Sequence, residues 1–163
     1  MFGLFNKQLK IKAPVNGFCV DLDEVPDEVF SKRMMGDGVA IQPADGLFVA
    51  PADGELVMLF KTGHAYGMVL DQKVELLIHI GIDTVELQGE GFEILATQGT
   101  RVLAGTPIVR VDLDLIRQKG YDPITLIIIT SPDTSGPDSA IGIKTEVNQT
   151  VVADSSVILT ITT

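Results

Sequence analysis

The chain has two histidines, His64 and His79, and they are the residues best suited to chemistry. They lie 15 positions apart. A neutral imidazole near pH 7 can act as a nucleophile or as a metal ligand. Two rings placed side by side could therefore form a phosphoryl-transfer site, in which one ring attacks and the other donates a hydrogen bond to charged oxygens. They could also form part of a zinc site.

A β-hairpin is the element that would bring the two rings together. Residues 60–70 and 73–83 are alternating runs that flank the polar pair Asp71-Gln72, and this pattern predicts a hairpin with a two-residue loop. The register set by such a loop places His64 directly opposite His79. Opposed residues of antiparallel strands have Cβ atoms about 4.5–5.5 Å apart, so we expect the rings to be neighbours on one face of the sheet.

Alternation along the second run predicts one buried face and one open face. The aliphatic residues that form the predicted core face are Leu76, Ile78, Ile80 and Ile82. His79 falls on the other face, which we expect to be mostly open. The same register places Thr62 opposite Gly81, so a hydroxyl would lie beside His64 and a missing side chain would leave space beside His79.

A zinc site at these histidines would need a further ligand, because catalytic zinc normally has three protein ligands. Only Asp83 or a carboxylate from a partner could join His64 and His79, which predicts at most a weak metal site within this chain. A zinc-dependent hydrolase of sandwich architecture would also need a His-x-x-x-Asp pair and a His-x-His pair. Met68 and Gly81 occupy the positions where those ligands should stand, which disfavours this alternative.

The composition limits both the compartment and the class of partner. The 163 residues include 12 basic and 22 acidic side chains, giving a formal net charge of −10. Without a Lys/Arg cluster, this balance disfavours nucleic acid and anionic membranes and favours a partner with a basic patch. Cys19 is the only cysteine, so no intrachain disulfide is possible. With no recognisable signal peptide, we expect a cytoplasmic protein.

Short strands separated by Gly, Pro, Asp and Asn turns fill most of the chain, which predicts an all-β sandwich or barrel. We expect one or two short helices, over residues 26–32 and 112–119, where an acidic or proline start precedes apolar residues. Residues 131–139 are rich in Ser, Pro, Asp and Gly and predict an exposed loop. Closing strands are expected over residues 141–144 and 157–163.

The length fits one domain with a substantial core, since 45% of the residues are hydrophobic. We place this domain at residues 11–163, after an N-terminal tail of residues 1–10.

Five stretches of the chain carry recognisable motifs. They are VPDEVFSKRMMGDGVAIQP from Val25, VAPADG from Val49, KTGHA from Lys61, LLIHIGIDTVEL from Leu76 and LQGEGF from Leu87. Together with the histidine spacing, they closely resemble the glucose-type enzyme IIA components of the bacterial phosphoenolpyruvate-dependent sugar phosphotransferase system. The resemblance runs from about Ile11 to the last strand, and it implies an antiparallel β-sandwich.

This resemblance also implies a reaction and the residues that perform it. Proteins of that family accept phosphate from the histidine of a small phosphocarrier protein and pass it to a cysteine of an enzyme IIB domain. His79 matches the phosphorylated histidine, with Nε2 as the attacking atom and with Nδ1 held by the backbone carbonyl of Gly81. His64 matches the second histidine, which assists the phosphoryl group, and Thr62 matches its associated hydroxyl. The implied activity is a phosphotransferase with a phosphohistidine intermediate and no required cofactor.

A docking surface around the histidines is implied as well. The apolar residues that match it are Phe30, Met35, Phe60, Leu77 and Val85. The acids that match its rim, where basic residues of the phosphocarrier would dock, are Asp27 and Asp83. Any single Phe, Met or Val among these could equally belong to the core.

The partners that we expect follow from the resemblance. They are the histidine phosphocarrier protein and the IIB domain of a membrane sugar transporter, with which a cytoplasmic monomer would associate transiently. Nucleic acid is not expected. Two alternatives stay open: a regulatory role, in which the protein reports its phosphorylation state to other proteins, and a zinc ion that bridges the histidines to a carboxylate of a partner.

Overall fold

A computed structural model of the chain describes residues 8–130 and 142–162. Fourteen short strands form within these residues. The first seven are β1 (Gln8–Lys12), β2 (Gly17–Asp21), β3 (Asp37–Pro43), β4 (Leu47–Val49), β5 (Gly54–Leu59), β6 (Ala65–Leu70) and β7 (Glu75–Ile80). The others are β8 (Phe92–Ile94), β9 (Thr100–Val102), β10 (Pro107–Val111), β11 (Thr125–Ile129), β12 (Gly142–Thr145), β13 (Gln149–Val151) and β14 (Val157–Thr162).

Two short helices interrupt the strands at the predicted places. α1 (Glu28–Ser31) begins after Asp27, whose carboxylate accepts a hydrogen bond from the N–H of Val29 at 2.9 Å. α2 (Leu113–Gln118) begins after Asp112, which caps it in the same way. Such side chains satisfy N–H groups that have no partner within the first helical turn. Two single 3-10 turns cover Leu22–Glu24 and Thr84–Leu87.

The strands pair in three antiparallel sheets. The large sheet has eight strands in the order β13-β2-β3-β11-β7-β6-β5-β9. Two small sheets have the orders β1-β14-β12 and β4-β10-β8. The predicted all-β, antiparallel sandwich with short helices is therefore confirmed.

The main core lies between the large sheet and the two small sheets. Tyr66, Met68 and Ile78 of the large sheet are buried in the same apolar cluster as Phe48 of one small sheet and Ile161 of the other. Burial of apolar surface is the main force that holds such layers together. The histidine hairpin of β6 and β7 therefore has one face fixed firmly in the core.

A second, smaller cluster covers the opposite face of the large sheet at β3 and β11. Its members are Leu22, Val25, Phe30, Ala40, Ile124, Leu126 and Ile128. Leu126 is paired directly with His79 of the neighbouring strand, so this cluster lies beside the histidine. Ile82, predicted for the main core, lies beyond the end of β7 and packs partly buried against the smaller cluster instead.

Four residues, 71–74, separate β6 from β7, and because Val74 still pairs with Leu70, the hairpin loop itself has three residues, 71–73, where the sequence predicted two. The backbone N–H of Leu70 bonds to the carbonyl of Val74 at 2.8 Å, which closes the longer loop. Lys73 takes the left-handed conformation with a φ of 63°. A residue of this conformation commonly completes three-residue hairpin loops, and here a lysine fills the position that glycine usually marks in a sequence.

The longer loop shifts the strand register by one residue. Ala65, and not His64, is paired with His79, so the predicted direct opposition of the two histidines is wrong. The predicted opposition of Thr62 and Gly81 is wrong for the same reason. A change of one in loop length moves every partner along the ladder by one position.

The predicted N-terminal tail of residues 1–10 extends too far along the chain, because a strand already begins at Gln8. Gln8–Lys12 forms β1, which pairs with β14 because Leu9 and Ile11 alternate towards the interior. Residues 1–7 lie outside the described residues, as does the predicted loop at 131–139. The predicted closing strands are present as β12 and β14, apart from their outermost residues at 141 and 163, which are not described.

Candidate functional site

The two imidazole rings are in contact despite the shifted register. Their centroids lie 5.2 Å apart and their planes are inclined by 80°. His79 is part of β7, but His64 immediately precedes β6 and is therefore not bound by strand alternation. The chain turns before it at Gly63, which has a φ of 76° and donates its N–H to the carbonyl of Phe60 at 2.8 Å. The carbonyl of His64 accepts from the N–H of Ile80 at 2.7 Å, so this cross-strand bond and the turn together place the His64 ring against that of His79.

The Nδ1 atom of His79 is held by a backbone carbonyl. It lies 2.8 Å from the oxygen of Gly81. Since a carbonyl can only accept, Nδ1 must carry the proton, and in the neutral ring Nε2 must carry the lone pair. Among the described residues, Nε2 has no hydrogen-bond partner. The ring is thus oriented with a nucleophilic nitrogen left free.

The carbonyl of Gly81 is itself fixed by the loop after β7. Gly81 has a φ of 82°, and a Cβ atom there would lie 2.4 Å from Cγ2 of Thr84, so only glycine fits. The hydroxyl of Thr84, which is fully buried, donates to the carbonyl of Ile80. Sequence reasoning missed Thr84. The available signal was a polar side chain inside the otherwise apolar or acidic run from Ile82 to Leu87.

The Nδ1 atom of His64 is held by a side chain. It lies 2.5 Å from Oγ1 of Thr62. The ring of Phe60 meets the His64 ring edge-on, with centroids 4.9 Å apart. A hydroxyl can donate or accept, so rotation of the Thr62 hydroxyl selects which nitrogen of His64 carries the proton.

Both histidines are electrically neutral near pH 7. Burial, helped by repulsion from His79, lowers the pKa of His64 from 6.5 to about 4. Burial also lowers the pKa of His79, opposed by its hydrogen bond to Gly81 and by the charges of Asp27 and Asp83. Neutral rings keep the lone pair that a nucleophile needs.

The site is less open than the sequence predicted. His79 is half-buried, whereas His64 is only 4% exposed. The reason is that the turn before β6 and the ring of Phe60 cover His64. One ring therefore reaches the surface and the other lies behind it.

The predicted docking residues divide into two groups. Phe30 contacts the ring of His79 with centroids 5.2 Å apart, but it is itself only 7% exposed, because it belongs to the smaller apolar cluster. Leu77 is also partly buried against that cluster. These two side chains line the site and offer little surface to a docking partner. Met35, Phe60 and Val85 are exposed and can be reached by a partner.

The two predicted rim acids lie near the site in the structure. Their charges raise the pKa of His79, which requires proximity. Asp27 is partly exposed and also caps α1, while Asp83 is exposed and precedes the second 3-10 turn with a φ of 59°. Acidic side chains therefore border the exposed histidine.

A shallow groove of about 170 Å³ continues from the site along the same sheet face. Gly67 lies opposite Leu77 and, because it has no side chain, leaves space at the floor of the groove. Met58 lines one side of the groove. A β-bulge after Leu56 turns both Val57 and Met58 outward, so that both are exposed. Sequence reasoning missed this extension, since strict alternation would have placed one of the two inside.

Within the described ranges, no group of three or more His, Cys, Asp or Glu side chains could hold a metal ion. A zinc ion on His64 and His79 would need a ligand from elsewhere. The same ranges contain no helix of sufficient length and apolar character to cross a membrane.

Comparison with known proteins gives a consistent result. Residues 9–135 match the family model described as phosphoenolpyruvate-dependent sugar phosphotransferase system, EIIA 1. The chain is 44% identical over 164 residues to a PTS system glucose-specific EIIA component of Bacillus anthracis, and the match covers 99% of this chain and 96% of that protein.

Two further matches are a longer protein and a solved structure. A PTS system glucoside-specific EIICBA component of Staphylococcus carnosus is 52% identical over 121 residues, which are 74% of this chain and 18% of that longer protein. Among solved structures, the glucose permease IIA from Mycoplasma capricolum matches with a TM-score of 0.84 and 41% identity, covering 96% of this chain and 97% of that one.

Proposed function

The chain belongs to the EIIA 1 family of the phosphoenolpyruvate-dependent sugar phosphotransferase system, and we propose that it carries a phosphoryl group on Nε2 of His79 between two protein partners. Membership of the family makes it a phosphotransferase component. The proposed donor is the histidine of the phosphocarrier protein, and the proposed acceptor is the cysteine of an EIIB domain. The observation that carries the proposal is the bond from Nδ1 of His79 to the carbonyl of Gly81, which leaves Nε2 unprotonated.

In the first step, the lone pair on Nε2 of His79 forms a bond to phosphorus as the bond to the phosphocarrier's nitrogen breaks. The proton on Nδ1 stays in place, so the phosphorylated ring gains a positive charge. The carbonyl of Gly81 accepts from that N–H at 2.8 Å and stabilises the charge, as it stabilises the protonated ring. In the second step, the EIIB thiolate attacks phosphorus, and His79 leaves as a neutral imidazole.

His64 assists from the neighbouring position. In the proposed arrangement the Thr62 hydroxyl donates to Nδ1 of His64, so that Nε2 of His64 carries a proton and donates it in a hydrogen bond to a phosphoryl oxygen. Charge on those oxygens is stabilised best by donors that are already in place and shielded from water. The burial of His64 and its contact with His79 support this role.

Both partners would dock on the same surface around His79. The acidic side chains Asp27 and Asp83 suit a basic partner, and the exposed apolar side chains Met35, Phe60 and Val85 suit a partner with an apolar centre. The EIICBA relatives, whose names join EIIA to EIIC and EIIB, support an EIIB domain of a membrane transporter as one of the two.

A reconstituted relay tests the proposal. The protein is incubated with phosphoenolpyruvate, enzyme I and the phosphocarrier protein, and the phosphorylated product is examined by mass spectrometry and ³¹P NMR. We expect one phosphoryl group, labile in acid and stable in base, with the chemical shift of a phosphorus bonded to Nε2. Absence of the phosphoryl group, or its attachment to Nδ1, would contradict the proposal.

A further inference from the structure

We propose that Arg33 is a positioning residue for His79, because it clamps the segment that carries Phe30 onto the sheet beside the reactive ring. The kinetic part of this inference rests on the proposed phosphoryl transfer, whereas the structural part does not.

The guanidinium of Arg33 bonds to three carboxylates from three separate elements. Nη1 lies 2.7 Å from Asp23, Nη2 lies 3.0 Å from Asp21, and Nε lies 3.0 Å from Asp37. Asp21 ends β2, Asp23 lies in the first 3-10 turn, and Asp37 begins β3. One side chain therefore joins the segment between β2 and β3 to both of the strands that it connects.

The backbone of Arg33 extends this clamp to Phe30. Arg33 has a φ of 58°, a conformation that a residue with a side chain rarely adopts. Its N–H donates to the carbonyl of Phe30 at 3.0 Å, and its own carbonyl accepts from the N–H of Gly36 at 3.2 Å. The side-chain bonds hold the chain in this unfavourable turn, and the turn fixes where Phe30 lies.

The segment cannot hold its own shape. α1 has only four residues, far fewer than an isolated helix needs to be stable in water. The segment nevertheless carries both Phe30, which contacts His79, and Asp27, whose charge acts on His79. Packing of Phe30 in the smaller apolar cluster fixes one of these groups, and the bonds of Arg33 add a second constraint on the segment that carries both.

Loosening of this segment would change the surroundings of His79 before it changed the core. Phe30 shields one side of the ring, while His64 covers another and Asp83 supplies a further negative charge. With Phe30 displaced, water would reach His79, and its pKa, which burial lowers, would move back towards 6.5. Loss of the charge of Asp27, which the same segment carries, acts in the opposite direction, but burial is the larger of the two causes.

The test compares Arg33→Gln with Arg101→Gln. Arg101 is a suitable control because it also forms carboxylate bonds, at 2.9 and 3.3 Å to Asp71, but at the hairpin loop at the other end of β6 and β7. NMR titration measures the pKa of His79, and initial rates with the phosphocarrier give KM and kcat. We expect Arg33→Gln to raise the pKa of His79 and to lower kcat/KM about tenfold, the effect of roughly one well-formed hydrogen bond or charge contact. Arg101→Gln should leave both at wild-type values.

Two further variants keep the inference falsifiable. Arg33→Lys should give an intermediate result, because a single ammonium cannot bridge three carboxylates as a planar guanidinium does. If Arg33→Gln does not fold, Asp23→Asn removes the charge from only the shortest of the three contacts, which weakens it, and should shift the pKa in the same direction by less.

A folded Arg33→Gln protein with unchanged pKa of His79 and unchanged rate would overturn the inference, and so would an unchanged Asp23→Asn protein if Arg33→Gln does not fold. A wild-type protein that takes up no phosphoryl group would instead refute the proposed function, and the pKa of His79 in the variants would still decide the role of Arg33.

Discussion

The turn at residues 60–64 holds Nδ1 of His64 with a threonine hydroxyl, whereas the turn after β7 holds Nδ1 of His79 with a backbone carbonyl. A carbonyl accepts only, so the proton of His79 has one possible place. A hydroxyl donates or accepts, so the proton of His64 has two. The ring of His79, the proposed nucleophile, is thus fixed by the main chain, and the ring of His64, the proposed assisting group, is set by a hydroxyl that can rotate.

The two rings also differ in their access to solvent. His64 is 4% exposed, and burial lowers its pKa to about 4. His79 is half-buried, and burial lowers its pKa too, but the charges of two nearby carboxylates oppose this shift. The difference fits a division of roles in which only one ring meets the partner directly. The following experiments test this difference between His64 and His79.

The largest effect is expected from His79→Gln. This change removes the only proposed nucleophile, so phosphoryl uptake from the phosphocarrier should fall below detection, measured by mass spectrometry after a fixed incubation. The thermal transition should stay near that of the wild type, because the ring is half-buried and borders the surface. Retention of the phosphoryl group would remove His79 from the nucleophilic role.

His64→Ala, which removes the donor altogether, should leave uptake detectable but slow the onward transfer to EIIB. Loss of one preorganised donor to a charged transition state typically costs about 10²–10³-fold in rate. Rapid-quench measurement of the two half-reactions separates uptake from onward transfer. If onward transfer is unchanged and only thermal stability falls, His64 has a structural role.

The lowered pKa of His64 predicts a dependence of stability on pH. Between pH 6.5 and about 4 the unfolded chain binds a proton at this residue and the folded chain does not, so stability should fall as pH falls through this window. The loss amounts to at most about 3.5 kcal/mol, since the pKa is lowered by about 2.5 and one pKa unit corresponds to about 1.4 kcal/mol. Urea unfolding at pH 7.0 and 4.5 should show a smaller loss for His64→Gln than for the wild type. Equal losses would contradict the assignment.

The smallest effect is expected from the hydroxyl of Thr62. Thr62→Val keeps the shape but frees the tautomer of His64, and we expect about a tenfold loss in onward transfer, equivalent to one hydrogen bond. Thr62→Ser retains the hydroxyl and serves as the control, with near wild-type rates. If both variants behave like the wild type, the tautomer of His64 is set by something other than Thr62.

Local patterns in the sequence were sufficient for the elements but not for their assembly. Alternation predicted Leu76 and Ile78 on the core face, and acidic caps predicted both helices, because these signals depend on near neighbours. The strand register was missed because Lys73 takes the left-handed conformation that completes a three-residue loop, and a lysine gives no sign of this conformation in the sequence. The order of the eight-stranded sheet depends on contacts between distant residues, which spacing cannot show.

For the site, the contact of the two rings was predicted correctly, although the reason was wrong. The prediction paired His64 with His79, whereas the backbone of His64 bonds to Ile80 and the turn before β6 directs its ring towards His79. The clamp on Arg33 was missed altogether, because its three carboxylates come from positions 21, 23 and 37 and meet only in the folded chain.

The position of His64 just outside β6 has an evolutionary consequence. A residue inside a paired strand can be re-aimed only by sliding or flipping the whole strand, at the expense of the core. A residue in the preceding turn can be re-aimed by substitutions in four or so neighbouring positions while the sheet stays intact. Relatives of this protein would therefore adapt the proposed assisting group to new acceptors by altering the short stretch of residues 60–64, without changing the strand that carries the proposed nucleophile.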